Sequence, residues 1–275
     1  MTETIKSLDW LGLQNQVCIV SGAASGIGER IAMELTQVGA HVALLDRNPD
    51  VLEVAARLCR QGAVAKGYVG DCGRQEDWQQ IAQQTHQDLG CARVLVNNAG
   101  MLRPAPLAEI TPQEWQAVLD VNLTGYLLGA QAFLPQLQQW QQQGGASMVH
   151  VASIAALFPQ SNSGAYSPGK AGVLLLSRQL AVEWRSQRIR SNAVCPGMTR
   201  TPLTQSFYEQ PGVEAARAAI TCSGRVGEPQ DIADAVLYLA SPRASYINAQ
   251  EILVDGGMSS MLMDMVPRPG FNHAG

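Results

Sequence analysis

The chain has 275 residues, of which 46% are apolar and 15% are charged, and its formal net charge at pH 7 is −4. This length and apolar content suffice for one large core. The acidic balance and the lack of a basic run argue against nucleic acid as a partner. No run approaches the roughly 18 apolar residues of a membrane span, so we expect a soluble, cytoplasmic protein.

Short apolar runs alternate with longer segments of helical periodicity along the chain. The runs predict strands at 17–20, 41–45, 63–69, 94–96, 147–151, 189–194 and 251–254. The other segments predict a helix that ends at Gly39 and helices over 50–61, 74–89, 112–142, 165–185 and 229–240. This alternation predicts one α/β domain over 1–275, a Rossmann-type doubly wound parallel sheet with helices on both faces.

A glycine-rich turn lies between the first strand and the first helix, with the spacing Gly-x-x-x-Gly-x-Gly. A backbone without Cβ atoms can approach a pyrophosphate closely, and the helix N-terminus offers free N–H groups and positive partial charge. The turn therefore predicts a dinucleotide site. Its members are Gly22, Ser25, Gly26, Ile27 and Gly28.

Asp46 stands at the end of the second predicted strand. A carboxylate there can accept hydrogen bonds from a ribose diol and repels a 2′-phosphate, which favours NAD over NADP. Arg47 beside it could instead contact that phosphate, so NADP stays an alternative. A second interpretation is that Asp46 only initiates the turn before Asn48 and Pro49.

Tyr166 and Lys170 form an acid/base candidate, because Lys170 comes four residues after Tyr166 and a helix would place both side chains on one face. An ammonium near a phenol favours the phenolate, so we expect Lys170 to lower the pKa of Tyr166. The six cysteines and four histidines are dispersed and indicate neither a disulfide framework nor a metal site.

These features together resemble the classical short-chain dehydrogenases/reductases, and the resemblance covers nearly the whole chain in the expected order. The matching pieces are the glycine turn at 21–28, Asp71, the run from Asn97 to Gly100, Asn122, Ser153, Tyr166 with Lys170, Pro196 with Gly197, and the run from Val254 to Gly257.

The resemblance implies a catalytic tetrad of Asn122, Ser153, Tyr166 and Lys170. In such enzymes the tyrosine exchanges a proton with the substrate oxygen, while a hydride passes to or from the nicotinamide. Ser153 would hold the same oxygen, Lys170 would also bind the nicotinamide ribose, and Asn122 would hold a water in a proton relay. Pro168, inside the Tyr-to-Lys turn, is compatible only with a helix that begins nearby.

The resemblance also implies the remaining cofactor contacts. Around the adenosine it implies Asp71, Cys72, Asn98, Ala99 and Gly100, and around the nicotinamide and phosphates it implies Pro196, Gly197, Thr199 and Thr201.

We expect an oxidoreductase that interconverts a small-molecule secondary alcohol and its ketone with NAD. Two alternatives stay open: an NADPH-dependent 3-oxoacyl thioester reductase, and a regulatory protein that binds the cofactor without catalysis. The family implies a homotetramer formed through the helices predicted over 112–142 and 165–185 and the final helix and strand.

The substrate pocket is expected to have mostly apolar walls and a flap over about 197–225, whereas the tail over 258–275 has few helix signals. The candidate pocket residues are Met101, Leu102, Arg103, Ile154, Leu157, Phe158, Gln160, Met198 and the part of the flap at 202–222.

Overall fold

The computed structural model describes residues 10–267 and 270, and within them seven strands form one sheet. The strands are β1 (Val17–Ser21), β2 (His41–Asp46), β3 (Ala65–Val69), β4 (Ala92–Asn97), β5 (Ala146–Val151), β6 (Ile189–Pro196) and β7 (Glu251–Val254). Their order is β3-β2-β1-β4-β5-β6-β7, and all neighbours are parallel. The predicted doubly wound α/β fold is confirmed.

Helices cover both faces of the sheet. They are α1 (Gly26–Gln37), α2 (Asp50–Arg60), α3 (Gln75–Leu89), α4 (Pro112–Leu119), α5 (Gly125–Leu137), α6 (Tyr166–Glu183), α7 (Gln205–Tyr208), α8 (Val213–Ala219) and α9 (Pro229–Ala240).

Strand β1 contributes side chains to two hydrophobic cores, one on each face of the sheet. All five of its residues are buried, and successive side chains point to opposite faces. Cys18 and Val20 pack with α1, α2 and α9, whereas Val17 and Ile19 pack with α3 and α5. The chain runs outward from β1 to β3 and then returns to β4, so a cleft opens between the carboxyl ends of β1 and β4.

The predicted helix over 112–142 is helical throughout, but it is not a regular α-helix. A π-helical turn, Asp120–Thr124, separates α4 from α5, and a 3₁₀ turn, Gln138–Gln143, follows α5. The predicted helix is therefore confirmed, although its geometry changes along its length. The π turn lies where the Asn122 amide bonds to the backbone of Met101. Gly125 after it lies so close to Cys72 that a Cβ would be 2.5 Å from the Cys72 carbonyl oxygen.

By length and composition, the stretch Pro112–Gln143 is the one helical segment of the described chain that would pass as a membrane span. Core helices of soluble proteins pass the same test. In this fold Ala130, Phe133 and Leu137 of α5 are buried in the core on one face of the sheet.

The predicted flap at 197–225 contains the short helices α7 and α8. The predicted tail at 258–275 begins with a 3₁₀ turn, Met258–Ser260, and its residues 268, 269 and 271–275 lie outside the described residues.

Candidate active site

A cleft of about 630 Å³ opens at the carboxyl ends of the strands. It brings together all the predicted catalytic and cofactor residues except Gly28 and Asn122, which lie beneath its surface. The predicted residues that line it are Gly22, Ser25, Gly26, Ile27, Asp46, Arg47, Asp71, Cys72, Asn98, Ala99, Gly100, Ser153, Tyr166, Lys170, Pro196, Gly197, Thr199 and Thr201.

Hydrogen bonds connect the start of the glycine turn to the residues that follow β4. The hydroxyl oxygen of Ser21 accepts hydrogen bonds from the N–H groups of Asn98 at 3.0 Å and Ala99 at 3.1 Å. The Asn98 amide donates to the carbonyl oxygens of Ser21 at 2.9 Å and Gly22 at 3.1 Å. A Cβ at Gly28 would lie 2.1 Å from the Gly22 carbonyl oxygen, so this close packing requires glycine.

The residues of this turn fit a dinucleotide pyrophosphate. Ser25 is the N-cap of α1, yet its side chain makes no capping hydrogen bond, so the first N–H groups of α1 have no side-chain partner from it. Such N–H groups, with the positive end of the helix dipole, attract phosphate. Across the turn, a Cβ at Gly26 would lie 3.3 Å from Pro202 and 3.5 Å from Thr201. The base of the flap therefore adjoins the turn.

Asp46 both forms a turn and faces the cleft. One carboxylate oxygen accepts from the N–H of Asn48 at 2.9 Å, and the other accepts from the N–H of Ala24 at 3.0 Å. The turn interpretation and the cofactor interpretation are thus compatible. Arg47 also lines the cleft, so the part of the cleft next to β2 carries charges of both signs.

Ser153 and Tyr166 reach the cleft from two helix starts. Ser153 follows β5 and caps a 3₁₀ turn, because its hydroxyl oxygen accepts from the N–H of Ala155 at 3.1 Å. Tyr166 is the first residue of α6, so Pro168 falls in the first turn, where a missing N–H removes no helical hydrogen bond. The predicted condition on Pro168 is met, and Tyr166 and Lys170 share one side of α6.

Lys170 is almost fully buried, with 3% of its surface exposed. Its Nζ donates hydrogen bonds to the carbonyl oxygen of Val151 at 2.7 Å and to the phenolic oxygen of Tyr126 at 3.0 Å. The same Nζ lies 5.9 Å from the centroid of the Tyr166 ring. Burial lowers the pKa of Lys170 to about 7, so at neutral pH this amine both gains and loses its proton readily.

The prediction that Lys170 lowers the pKa of Tyr166 is wrong for this structure. Burial raises the pKa of Tyr166, and a hydrogen bond with Ser153 lowers it by a smaller amount. The physical reason is desolvation, which disfavours the phenolate, while Lys170 pays the same penalty on its own charge. Tyr166 is therefore a protonated phenol at neutral pH. Of the two residues, Lys170 is the one that titrates near pH 7.

Asn122 is buried beneath the cleft, and its amide is fixed by Met101. Its Oδ1 accepts from the N–H of Met101 at 2.8 Å, and its Nδ2 donates to the Met101 carbonyl at 2.9 Å. A Cβ at Gly100 would lie 3.5 Å from Lys170 Nζ and 3.6 Å from Asn122 Oδ1. The lack of a side chain at Gly100 thus leaves a gap that both polar atoms border.

The substrate side of the cleft differs in part from the prediction. The predicted residues that line it are Met101, Leu102, Ile154, Phe158, Gln160 and Met198. Arg103 and Leu157 do not line it, because both side chains are exposed outside the cleft. Sequence reasoning missed Met258, which lines the cleft, and Tyr126, which binds Lys170 from outside it, and it included Arg217 only as one position of the flap.

A family model described as enoyl-(acyl carrier protein) reductase matches residues 22–259 of the chain. The chain is 34% identical over 254 residues to 2-(S)-hydroxypropyl-CoM dehydrogenase 3 of Xanthobacter autotrophicus, covering 90% of this chain and 98% of the relative. It is 34% identical over 248 residues to the 3-oxoacyl-(acyl-carrier-protein) reductase of Thermotoga maritima, covering 90% and 98%.

Among solved structures, the chain is similar to a gluconate 5-dehydrogenase from Burkholderia cenocepacia J2315 in complex with NADP and tartrate. The TM-score is 0.86 at 27% identity, and the match covers 93% of this chain and 99% of that one. With the glycine turn, the Tyr166 and Lys170 pair and the sheet order in their expected places, this chain belongs to the classical short-chain dehydrogenases/reductases, enzymes that act on alcohols and ketones with NAD or NADP.

Proposed function

We propose that the protein interconverts a secondary alcohol and its ketone, with NAD as the preferred cofactor. The observation that carries this proposal is the meeting of Ser153, Tyr166 and Lys170 in the cleft that the glycine turn and Asp46 also line. An acid/base group and a dinucleotide cradle in one cleft suit a reaction that moves a proton and a hydride together.

Residues of this chain carry out the proton transfer. Tyr166, kept protonated by burial, donates its proton to a ketone oxygen. In the reverse direction the site first releases a proton, and Tyr166 then takes one from the alcohol. Ser153 holds the same substrate oxygen by its hydroxyl. Lys170, with a pKa of about 7, exchanges a proton with the site, and the gap over Gly100 between Lys170 and Asn122 provides the place for a relay water. When bound, the nicotinamide accepts or donates the hydride.

NAD is preferred on the argument from Asp46, whose carboxylate lines the cleft and repels a 2′-phosphate. Around the cofactor we assign the residues predicted above, with Gly28 giving the turn its close packing and Asp71, Cys72, Asn98, Pro196, Gly197, Thr199 and Thr201 lining the two walls.

The second candidate is reduction of a 3-oxoacyl thioester with NADPH. Two observations favour it: the 34% identity to a 3-oxoacyl-(acyl-carrier-protein) reductase, and Arg47 beside Asp46, which offers a phosphate partner. The similar gluconate 5-dehydrogenase structure favours the alcohol reaction instead. A cofactor-binding protein without catalysis is the weakest alternative, because such a protein has no need for Ser153, Tyr166 and Lys170 together.

The test is hydride transfer by the purified protein, followed by reduced nicotinamide absorbance. The panel contains secondary alcohols, ketones and a 3-oxoacyl thioester, each with NAD(H) and NADP(H). We expect turnover of alcohols or ketones with NAD(H). Binding of NADH without turnover of any panel member would contradict the proposal. Faster turnover of the thioester with NADPH would select the second candidate.

The catalytic assignment is tested by Tyr166→Phe. Removal of the phenolic proton donor should lower kcat by at least about a hundredfold, with the Kd of NADH unchanged. Turnover close to that of the wild type would refute the role of Tyr166.

We also propose a cytoplasmic homotetramer. The outward side of α6 supports it, because Leu175 and Val182 are 65% and 59% exposed, which suits a surface covered by another subunit. Light scattering of the purified protein tests this, and a monomer would contradict it.

A further inference from the structure

Arg217 is a charged side chain of the flap that lines the cleft, and it has no ionic partner among the residues that the structure describes. It lies in α8 and lines the cleft, as do Leu203 and Phe207 of the flap and Met258 of the tail. Three of these four side chains are apolar, and Gln160, which also lines the cleft, is uncharged. Among the described residues of the flap that line the cleft, Arg217 is therefore the one that carries a charge.

The neighbouring arginines of the flap are paired, which makes Arg217 stand out. Arg200 forms ion pairs with Glu214 and Glu228, and Arg225 pairs with Asp231 at 2.7 Å. Within residues 10–267 and 270, the Arg217 side chain forms no ion pair or hydrogen bond. Its guanidinium instead lies 5.1 Å from the centroid of the Phe207 ring and 4.9 Å from that of Tyr208.

Aromatic rings hold an arginine in place without using its N–H donors. A planar guanidinium with free donors binds carboxylate and similar oxyanions in a bidentate manner, and apolar surroundings strengthen that attraction. The other charged residues of the cleft, Asp46, Arg47, Asp71 and Lys170, come from the strand ends and α6. They belong to the cofactor and proton-transfer side, so Arg217 is left for the substrate.

We propose that the substrate is a hydroxy acid or its keto acid, with an anionic oxygen group at the end of the molecule away from the reacting carbon, and that Arg217 binds this group. The proposal rests on the proposed alcohol dehydrogenase function. It narrows the substrate class from secondary alcohols and ketones in general to anionic ones with an apolar body.

The experiment uses matched substrate pairs, each of which is a hydroxy acid and its methyl ester. Suitable acids are 3-hydroxybutyrate and 4-hydroxycyclohexanecarboxylate. In the wild type we expect kcat/KM for the acids to exceed that for the esters by at least about tenfold. In Arg217→Gln the KM of the acids should rise by a similar factor, while the esters change little. Arg217→Lys should keep part of the preference, because it keeps the charge and loses the planar fork.

Two controls separate the substrate role from other roles. Arg225→Gln removes a flap charge outside the cleft and should keep the acid preference. The Kd of NADH should be the same in Arg217→Gln and the wild type. Weaker NADH binding in the variant would mean that Arg217 serves the cofactor, and would overturn the proposal.

The failures of the two proposals are distinguishable. Turnover of the esters without preference for the acids, or an acid preference that survives in Arg217→Gln, overturns the role of Arg217 and leaves the dehydrogenase function intact. Turnover of no alcohol or ketone with either cofactor overturns the function and this inference with it.

Discussion

The Nζ of Lys170 donates a hydrogen bond to the phenolic oxygen of Tyr126 at 3.0 Å. The Tyr126 hydroxyl in turn donates to the Val151 carbonyl at 2.9 Å, the same oxygen that Lys170 binds. Tyr126 thus helps to hold the lysine of the proposed proton pathway, although it lies outside the cleft.

This relationship predicts a pH effect. For alcohol oxidation the site must have lost a proton before it can accept one from the substrate, so kcat/KM should rise through about pH 7, the pKa of Lys170. Tyr126→Phe removes an acceptor that favours the ammonium, which lowers the pKa of Lys170, so the rise should move to lower pH. Profiles from pH 5 to 9 check this. Tyr68→Phe, at a tyrosine bonded to Asp88, is the control, and an unmoved inflection in Tyr126→Phe would contradict the prediction.

The gap over Gly100 predicts a contrast between two substitutions. Gly100→Ala would place a methyl group at ordinary contact distance from Lys170 and Asn122, so it should leave stability intact and lower kcat by excluding the relay water. Asn122→Ala leaves two Met101 backbone groups without partners, which should lower the unfolding free energy by about 1–3 kcal/mol each. Denaturation curves and kcat measure both. A Gly100→Ala enzyme with full turnover, or one that fails only in NADH binding, would argue against the relay.

Cofactor preference should depend on Asp46. Asp46→Asn keeps the shape of the side chain and removes the charge that repels a 2′-phosphate, while Arg47 stays. We expect kcat/KM with NADPH relative to NADH to rise by at least about tenfold. Asp50→Asn, in the first turn of α2, is the matched control. A ratio unchanged in Asp46→Asn would assign the selectivity to other residues.

His150 predicts how the fold responds to acid. Its ring is fully buried between Asn97 and Ser191, and burial, with a smaller effect of the Lys170 charge, lowers its pKa to about 3. An unfolded chain protonates this histidine near pH ~6.5. The unfolded state therefore gains a proton first, and stability is lost as the pH falls from about 6.5 toward 3, at about 1.4 kcal/mol per pH unit.

Denaturant unfolding from pH 6.5 to 4 measures that loss. His150→Gln keeps hydrogen-bonding groups and does not titrate, so its free energy of unfolding should fall less steeply with pH than that of the wild type. Equal slopes in the two proteins would show that His150 does not control acid stability.

Local signals in the sequence account for most of the fold. The helix predicted over 229–240 and the strand over 251–254 have those bounds in the structure, because caps, proline and apolar periodicity act over a few residues. The π turn at Asp120–Thr124 escaped prediction, since a one-residue change of phase is set by tertiary contacts with Met101 and Cys72.

The candidate site likewise has parts that local sequence patterns predict and parts that depend on tertiary contacts. The glycine turn, Ser153 and the Tyr166 with Lys170 spacing are local patterns, and the structure brings them into one cleft. Tyr126 lies 44 residues from Lys170 in sequence, so no spacing rule connects them. The raised pKa of Tyr166 also depends on burial, which spacing alone cannot reveal.

The π turn also bears on how this protein can change in length. A π turn holds about one residue more than an α-helical turn, so a return to regular α-helix would absorb the deletion of one residue between Asp120 and Thr124. Phe133 and Leu137 of α5 would stay in the core, but Asn122 would shift relative to Met101 and lose its two hydrogen bonds to that residue. Insertions and deletions should therefore accumulate around Pro211 and Gly212, where the chain is exposed, and be rare in this turn.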